Sequence, residues 1–212
     1  SAIGEGQQKW LNGATKENHG WELSLGYQDE TKGGLTYSVS TNFGASKDKI
    51  TKLPEEVVAG YKGLPDNTIL GHSQYEEFGY VADGIFQDAD EVAAWPTQIG
   101  AAPGRIKYKD LNGDKVVNSL DQDWIGTYLP KLEYGLRVNL GYKSFDFSVF
   151  GSGVAGRKGV DAYIYYNNFV ESRENAAPGT LDAWTASNKS SDIPAATIVD
   201  NNNEKRMSTY LL

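Results

Sequence analysis

The chain has 212 residues, a formal net charge of −8 and no cysteine. The acidic balance, with no stripe of Lys and Arg, excludes a phosphate-backbone partner, so no nucleic acid is expected. The lack of cysteine excludes disulfides, thiolate zinc sites and a cysteine nucleophile, and no apolar run reaches the 18 residues of a transmembrane helix, although a membrane barrel needs only about ten alternating residues per strand.

In chain order, Asn12-Gly13 and His19-Gly20 are turn signals before the first strand. Trp21, Leu23, Leu25 and Tyr27 alternate with Glu22, Ser24, Gly26 and Gln28, and after Lys32-Gly33-Gly34 the run Leu35, Tyr37, Val39, Thr41 and Phe43 alternates with Thr36, Ser38, Ser40 and Asn42. Period two on both arms of a Gly-rich link predicts an antiparallel hairpin with one apolar and one small, polar face. Residues from Ala45 to about Gln74 read as a polar connection with turns at Leu53-Pro54 and Pro65-Asp66-Asn67. Phe78 to Phe86 reads as a strand-like run broken by glycines. Asp88 with Glu91 three positions on predicts a capped helix through Val92 to Trp95, stopped at Pro96. Arg105 to Tyr108 is a short strand.

The next stretch, Asp110-Leu111-Asn112-Gly113-Asp114-Lys115-Val116-Val117-Asn118-Ser119-Leu120-Asp121, places side-chain oxygens at positions one, three, five, nine and twelve, and the Val116 carbonyl at seven. That is the ligand order of an EF-hand-like calcium loop, because a hard cation takes six to eight oxygens from a flexible backbone. Asp110, Asn112, Asp114, Val116, Asn118 and Asp121 are therefore the candidate metal ligands, with Val117 packing inward. Two departures are Lys115 where glycine makes the sharp turn and Asp121 where a longer Glu is usual. The competing reading is a polar turn without an ion.

A second hairpin follows, with Leu136, Val138, Leu140 and Tyr142, a turn at Lys143-Ser144, and Phe145, Phe147 and Val149 on one face. From Gly151 the pattern reads as loop, with short helices near 162–171 and 180–187 and a turn or disordered tail at 200–203. Gly151-Ser152-Gly153-Val154-Ala155-Gly156 matches the dinucleotide-binding glycine pattern, but an alternating strand before it and Arg157-Lys158-Gly159 after it argue for a loop instead. His19 and His72 are isolated, no G-x-S-x-G occurs, and the acidic pairs read as surface or cap charge, so no catalytic residue is assigned. Tyr163, Tyr166 and Phe169 form an aromatic cluster that could touch a ligand or partner.

Both hairpins admit two readings: an apolar face packed into a soluble sandwich, or an apolar face against lipid with the small polar face lining a wet lumen. The order of several stretches resembles TonB-linked outer-membrane transporters of the SusC/RagA type. These are Asn12-Gly13-Ala14 through Glu22-Leu23, Gly79-Tyr80-Val81-Ala82-Asp83-Gly84-Ile85-Phe86-Gln87, Pro103 through Asp114, Ile125-Gly126 with Pro130 and Tyr134-Gly135-Leu136, Phe145 through Phe150, and Trp184 with Asn188 and Pro194. The resemblance implies a mainly β fold of antiparallel hairpins, part of a transmembrane β-barrel, with long loop excursions and one or two short helices. Residues 1–212 would be one segment of that barrel, with an excursion at 45–132 carrying the loop 110–121 and a loop region at 151–212. It also implies a bacterial outer-membrane location, energy coupling through TonB by a part of the protein upstream of this segment, a SusD-type surface lipoprotein as partner, and oligosaccharide or peptide as cargo. No enzyme activity is expected, and calcium would be structural. The alternatives are a secreted, soluble, calcium-dependent carbohydrate-binding β-sandwich and a glycoside hydrolase fragment. A closed core around Trp21, Leu25, Tyr37, Val138 and Phe147 would favour the sandwich.

Overall fold

The computed structural model describes residues 13–60, 68–168, 176–198 and 206–212. In chain order the strands are β1 (Thr15–Glu30), β2 (Leu35–Lys52), β3 (Glu76–Tyr80), β4 (Ala82–Ile85), β5 (Thr97–Gln98), β6 (Ile106–Tyr108), β7 (Val116–Val117), β8 (Gln122–Thr127), β9 (Leu132–Tyr142) and β10 (Phe145–Ala155). Three short helices are α1 (Glu55–Gly60), α2 (Ala89–Ala94) and α3 (Ala162–Asn167). The chain divides into two compact units, Ser1–Gln74 with Leu129–Gly156 and Tyr75–Tyr128 with Arg157–Leu212.

The first unit is a four-stranded antiparallel sheet in the order β1-β2-β9-β10. Each hairpin closes as its sequence demands. Gly34 takes a left-handed φ of 78° after Lys32 and Gly33, and Lys143 takes φ 54° in the tighter turn. The register places Tyr27 beside Val39, Val39 beside Val138, and Val138 beside Val149. Because side chains alternate, this puts Trp21, Leu23, Leu25, Tyr27, Leu35, Tyr37, Val39, Phe43, Tyr134, Leu136, Val138, Leu140, Tyr142, Phe145, Phe147 and Val149 on one face. Nothing among the described residues closes over that face. Trp21 is 53% exposed, Leu25 55% and Phe147 59%, while Tyr37 and Val138 are half-buried by their sheet neighbours. The closed core that a sandwich needs is absent from the described residues.

Three sequence expectations are corrected here. His19-Gly20 is not a turn before the first strand but lies inside β1, paired with Lys47 and Ser46. The polar stretch after Phe43 is not connection from the start, because β2 runs on to Lys52 and pairs with Thr15–Gly20. Polar side chains hide this extension from a periodicity argument, and a local network holds it. Asp48 is almost wholly buried, bonded to the Ser73 hydroxyl and paired with Lys16 at 3.0 Å, and the Ile50 amide donates to the His72 carbonyl at 2.8 Å. Likewise Gly151 to Ala155 are strand rather than loop. Gly153 lies opposite Tyr134, where a Cβ would stand 2.7 Å from that ring's hydroxyl. Glycine there makes room for an aromatic side chain lying across the neighbouring strand.

The second unit is built differently. It has three two-stranded sheets, β3-β8, β4-β6 and β5-β7, the last parallel. Tyr80, Ile106, Tyr108 and Val117 form its core, with Ala82 and Tyr210 against it. The Gln98 amide substitutes for a strand, donating to the Ile106 carbonyl at 2.8 Å and accepting from the Tyr108 amide at 2.9 Å. α2 starts as its sequence predicts, with the Asp88 carboxylate accepting the Glu91 amide at 2.9 Å. Glu91 reaches back one residue further than a capping box requires, to the Gln87 amide at 2.6 Å, and its other oxygen pairs with Lys107 at 2.5 Å. The segment from Arg206 closes the core: Met207 accepts the Tyr80 amide at 2.9 Å, and Leu211, buried, accepts the Asp161 amide at 2.7 Å. The helix expected over 162–171 is seen as α3, and that expected over 180–187 is instead a 3-10 turn at Pro178–Asp182. The expected turn at Pro65-Asp66-Asn67 and the tail at 200–203 lie outside the described residues.

Candidate functional site

The acidic loop is held by its own oxygens. Asp110 accepts the amides of Gly113 at 2.7 Å and Lys115 at 2.8 Å. Asn112 accepts the Asp114 amide at 2.8 Å, and Asp114 the Val116 amide at 2.8 Å. The Asn118 amide group donates to the Val116 carbonyl at 3.2 Å, while its oxygen caps the Leu120 amide at 2.8 Å. Asp121 is fully buried and takes three amides, from Leu111 at 2.9 Å, Asn112 at 3.4 Å and Asn118 at 2.7 Å. Lys115 adopts φ 66°, the left-handed conformation that glycine supplies at this position of a calcium loop. The first departure from the pattern therefore leaves the turn intact. Val117 is buried in the core, and Val116–Val117 pairs with Thr97–Gln98, so the loop is tied down from its eighth position as its sequence predicts.

The six candidate ligands thus lie on one loop with an all-oxygen donor set suited to a hard cation. Among the described residues, however, no three His, Asp or Glu side chains stand together as a metal-holding group. The Asp and Asn oxygens face loop amides, and Asp121 has the least freedom to turn.

On α3, Asp161 caps the helix by accepting the Tyr163 amide at 2.8 Å. Tyr163 is 55% exposed and Tyr166 51% exposed, and Tyr165 stands edge-on to Tyr166 with centroids 4.9 Å apart. Phe169, the third residue of that expected cluster, lies outside the described residues.

The polar face of the four-stranded sheet carries a group that the sequence reading passed over. Ser148 donates to the Asn139 oxygen at 2.9 Å, and Asn139 donates to the Ser38 hydroxyl at 2.8 Å, a ladder across three strands. Two residues beyond Ser148, Phe150 breaks the polar pattern and is exposed, with the Arg137 guanidinium 5.7 Å above its ring. The signal was present in the parity of the strand: Phe150 falls in the series of Asp146 and Ser148, not in that of Phe147 and Val149.

No family model matches the chain. It is similar to TonB-dependent receptor P3 of Formosa agariphila, 26% identical over 205 residues that cover 91% of this chain and 20% of the relative. It is also similar to TonB-dependent receptor P26 of the same organism, 28% identical over 191 residues, or 87% of this chain and 19% of the relative. The chain spans about a fifth of the length of these curated relatives. Its fold matches a chain of the RagAB peptide transporter with a TM-score of 0.62 at 19% identity, covering 92% of this chain and 21% of that one. The RagAB peptide importer in its "open-open" state gives 0.58 at 18% identity, again over 92% and 21%. The resemblance read from the sequence is borne out, as is the mainly β, antiparallel fold with few short helices. The relatives named are receptors and a transporter rather than enzymes.

Proposed function

We propose that this chain is a barrel segment of a TonB-dependent outer-membrane transporter that imports oligosaccharides or peptides with a SusD-type lipoprotein at the cell surface. The observation that carries this reading is the open apolar face of the four-stranded sheet, which a soluble protein would have to cover. Its residues are also zoned. Trp21 and Tyr27 flank Leu23 and Leu25 on β1, Phe43 and Tyr37 flank Thr41 and Val39 on β2 with Leu35 outside them, and Tyr134 and Tyr142 flank Leu136, Val138 and Leu140 on β9. Aromatic girdles flanking an aliphatic band are what two membrane interfaces select. Tyr27 pairs with Val39 while Tyr37 pairs with Leu140, so at the hairpin ends the girdle steps by one same-face pair from strand to strand. A belt level with a membrane surface must step in this way when the strands are tilted. β9 and β10, at 11 residues each, match the span of a tilted membrane strand. The charged ribbon of Thr15–Gly20 and Ala45–Lys52 then lies beyond the bilayer.

In this reading the TonB contact belongs to another part of the longer protein. Tyr163 and Tyr166 are exposed rings available to cargo or lipoprotein. Calcium would be held by Asp110, Asn112, Asp114, the Val116 carbonyl and Asn118, with Asp121 fixing the loop beneath it, and would supply charge neutralisation that stiffens the loop. Calorimetry with calcium on the full-length protein and its Asp114→Ala variant tests this: heat in the first and none in the second is expected, and equal indifference removes the ion.

The membrane reading is tested by single cysteines in the full-length transporter, cleared of any others. In outer-membrane vesicles, Leu25→Cys and Phe147→Cys should react with a lipid-partitioning maleimide, and Ser24→Cys and Ser148→Cys with a water-soluble one. Water-soluble labelling of all four would sink the barrel.

A further inference from the structure

We propose that the outward side of the β1–β2 stem, where it rises from the bilayer, is a contact site for the phosphate groups of an anionic glycolipid of the outer leaflet, with Lys47 and Lys49 as its cations. This rests on the barrel reading. Both hairpins turn at the same end of the sheet, at 31–34 and 143–144, while the chain leaves the other end for the long stretches 53–131 and 156–212. In a membrane barrel the tight turns lie on the periplasmic side and the long connections on the outer side. The stem formed by Thr15–Gly20 and Ala45–Lys52 therefore belongs to the outer surface.

The stem has two unlike sides, because side chains alternate. β9 pairs with β2 no further than Gly44. Beyond it the edge of β2 is taken by the chain itself: the Ile50 amide donates to the His72 carbonyl and the Gly71 amide to the Ile50 carbonyl, both at 2.8 Å. Asp48 and Ile50 are buried on the inward side, where Ser73 and Lys16 hold the Asp48 carboxylate. The outward side continues the series of Trp21 and Phe43 through His19 and Glu17 on β1 and through Lys47 and Lys49 on β2. Strand parity and the burial of the opposite side set this placement. Further strands of a barrel wall join at strand edges, not on this side.

The level suits a headgroup. Lys47 pairs with His19 one same-face position beyond the Trp21–Ala45 pair. That is about 7 Å along the strands and, with the tilt of barrel strands, about 5 Å above the aromatic girdle. Lys49 stands one step higher. Lysine stems can lie along the apolar side chains below while their ammonium groups stay in the polar layer.

The charges leave room for an anion. Lys47 has no ion pair among the described residues. Lys49 meets Glu17 at 3.8 Å, and Glu17 also faces the His19 Nε2 at 3.6 Å. An exposed pair of that length holds Lys49 weakly, and a phosphate is the stronger partner for an ammonium group. Glu17 is the opposing charge on this side of the stem, so its removal should strengthen phosphate binding. A merely solvated ribbon of charge would not respond.

The test uses the full-length transporter, stripped of lipid in neutral detergent, with heat-modifiable electrophoretic migration showing that each variant is folded. Diphosphoryl lipid A, the same glycolipid freed of its phosphates, and inorganic phosphate are titrated at low ionic strength. Wild type should bind the diphosphoryl form more tightly than the dephosphorylated one. Lys47→Gln and Lys49→Gln should each weaken that binding about fivefold, and Glu17→Gln should strengthen it, with the dephosphorylated form indifferent to all three. Equal binding of the two glycolipids, or a phosphate preference that these variants leave unchanged, would overturn the site. Inorganic phosphate bound as tightly as the glycolipid and lost with the same lysines would overturn the lipid as its source. If cysteine labelling places Leu25 and Phe147 in lipid while the phosphate preference is missing, this site fails and the barrel stands. If that labelling is absent, the barrel reading has failed and this site with it.

Discussion

In the Tyr75–Tyr128 and Arg157–Leu212 unit, Phe86, Ile106 and Tyr108 have no exposed surface, whereas in the four-stranded sheet Trp21, Leu25 and Phe147 are more than half exposed. Ten of the eleven buried apolar residues described belong to the first of these units, and Ile50 alone to the sheet. The sheet is held by its backbone ladders, and its apolar side chains line a face that stays exposed among the described residues. One region therefore has the architecture that water imposes, with apolar groups inside. The other leaves its apolar face open among the described residues, the arrangement that the proposed barrel would turn toward lipid.

Three substitutions sharpen that contrast. Phe86→Ala should have the largest effect, because it empties a site closed to solvent and packed edge-on against Trp95 with centroids 6.1 Å apart. A loss of about 3–5 kcal/mol is expected, read as protease sensitivity of the 75–128 region in the full-length protein. Insensitivity would mean that this core does not form. Val149→Arg places a charge on the open apolar face and should cost about 2–4 kcal/mol if that face meets lipid. Refolding into lipid vesicles with urea titration measures it, and a cost near zero would argue for a wet face. Asp121→Ala removes the buried carboxylate that three loop amides donate to and should cost about 1–3 kcal/mol. Hydrogen exchange at Leu111 and Asn118 should rise, and unchanged protection would show that the carboxylate does not hold the loop.

The hairpins were legible because one side chain in two is apolar over Trp21 to Phe43 and over Leu136 to Val149, and a period of two admits few other structures. α2 was legible from Asp88, Glu91 and Pro96, and the inward turn of Val117 from its place in the loop. What the sequence hid has physical causes. The extension of β2 through Asp48 depends on partners in Thr15–Gly20 and at Ser73, which no local pattern encodes. The strand through Gly151 and Gly153 looked like loop because the reason for its glycine is the Tyr134 ring on the next strand. The Gln98 side chain completes a ladder that no periodicity signals, and the return of Met207 and Leu211 to the core joins residues far apart in sequence. The parity of Phe150 was readable, but it gained meaning only once the register put Arg137 and Asn139 beside it.

The smallest expected effect is the pH dependence that Glu91 gives the water-type unit. Burial alone would raise the Glu91 carboxyl, but the hydrogen bond and charge of Lys107, with the Gln87 amide, hold it below the ordinary glutamate range. A carboxylate whose pKa is lower folded than unfolded contributes stability that is fully present above the unfolded value of about 4.3 and is lost as pH falls through the folded value. Protease resistance of the 75–128 region should therefore be flat from neutral pH down to about 5 and then fall. Glu91→Gln should remove about 1 kcal/mol at neutral pH and flatten part of the acid limb, since the ion pair with Lys107 no longer titrates. An acid limb identical in wild type and Glu91→Gln would assign the loss to other carboxylates. Pairing of β1, β2, β9 and β10 should show no dependence on Glu91, whose partners Gln87 and Lys107 lie in the other unit. Acid sensitivity of the β2 extension would belong to Asp48, whose carboxyl burial alone would raise but Ser73 and Lys16 hold below the ordinary aspartate range.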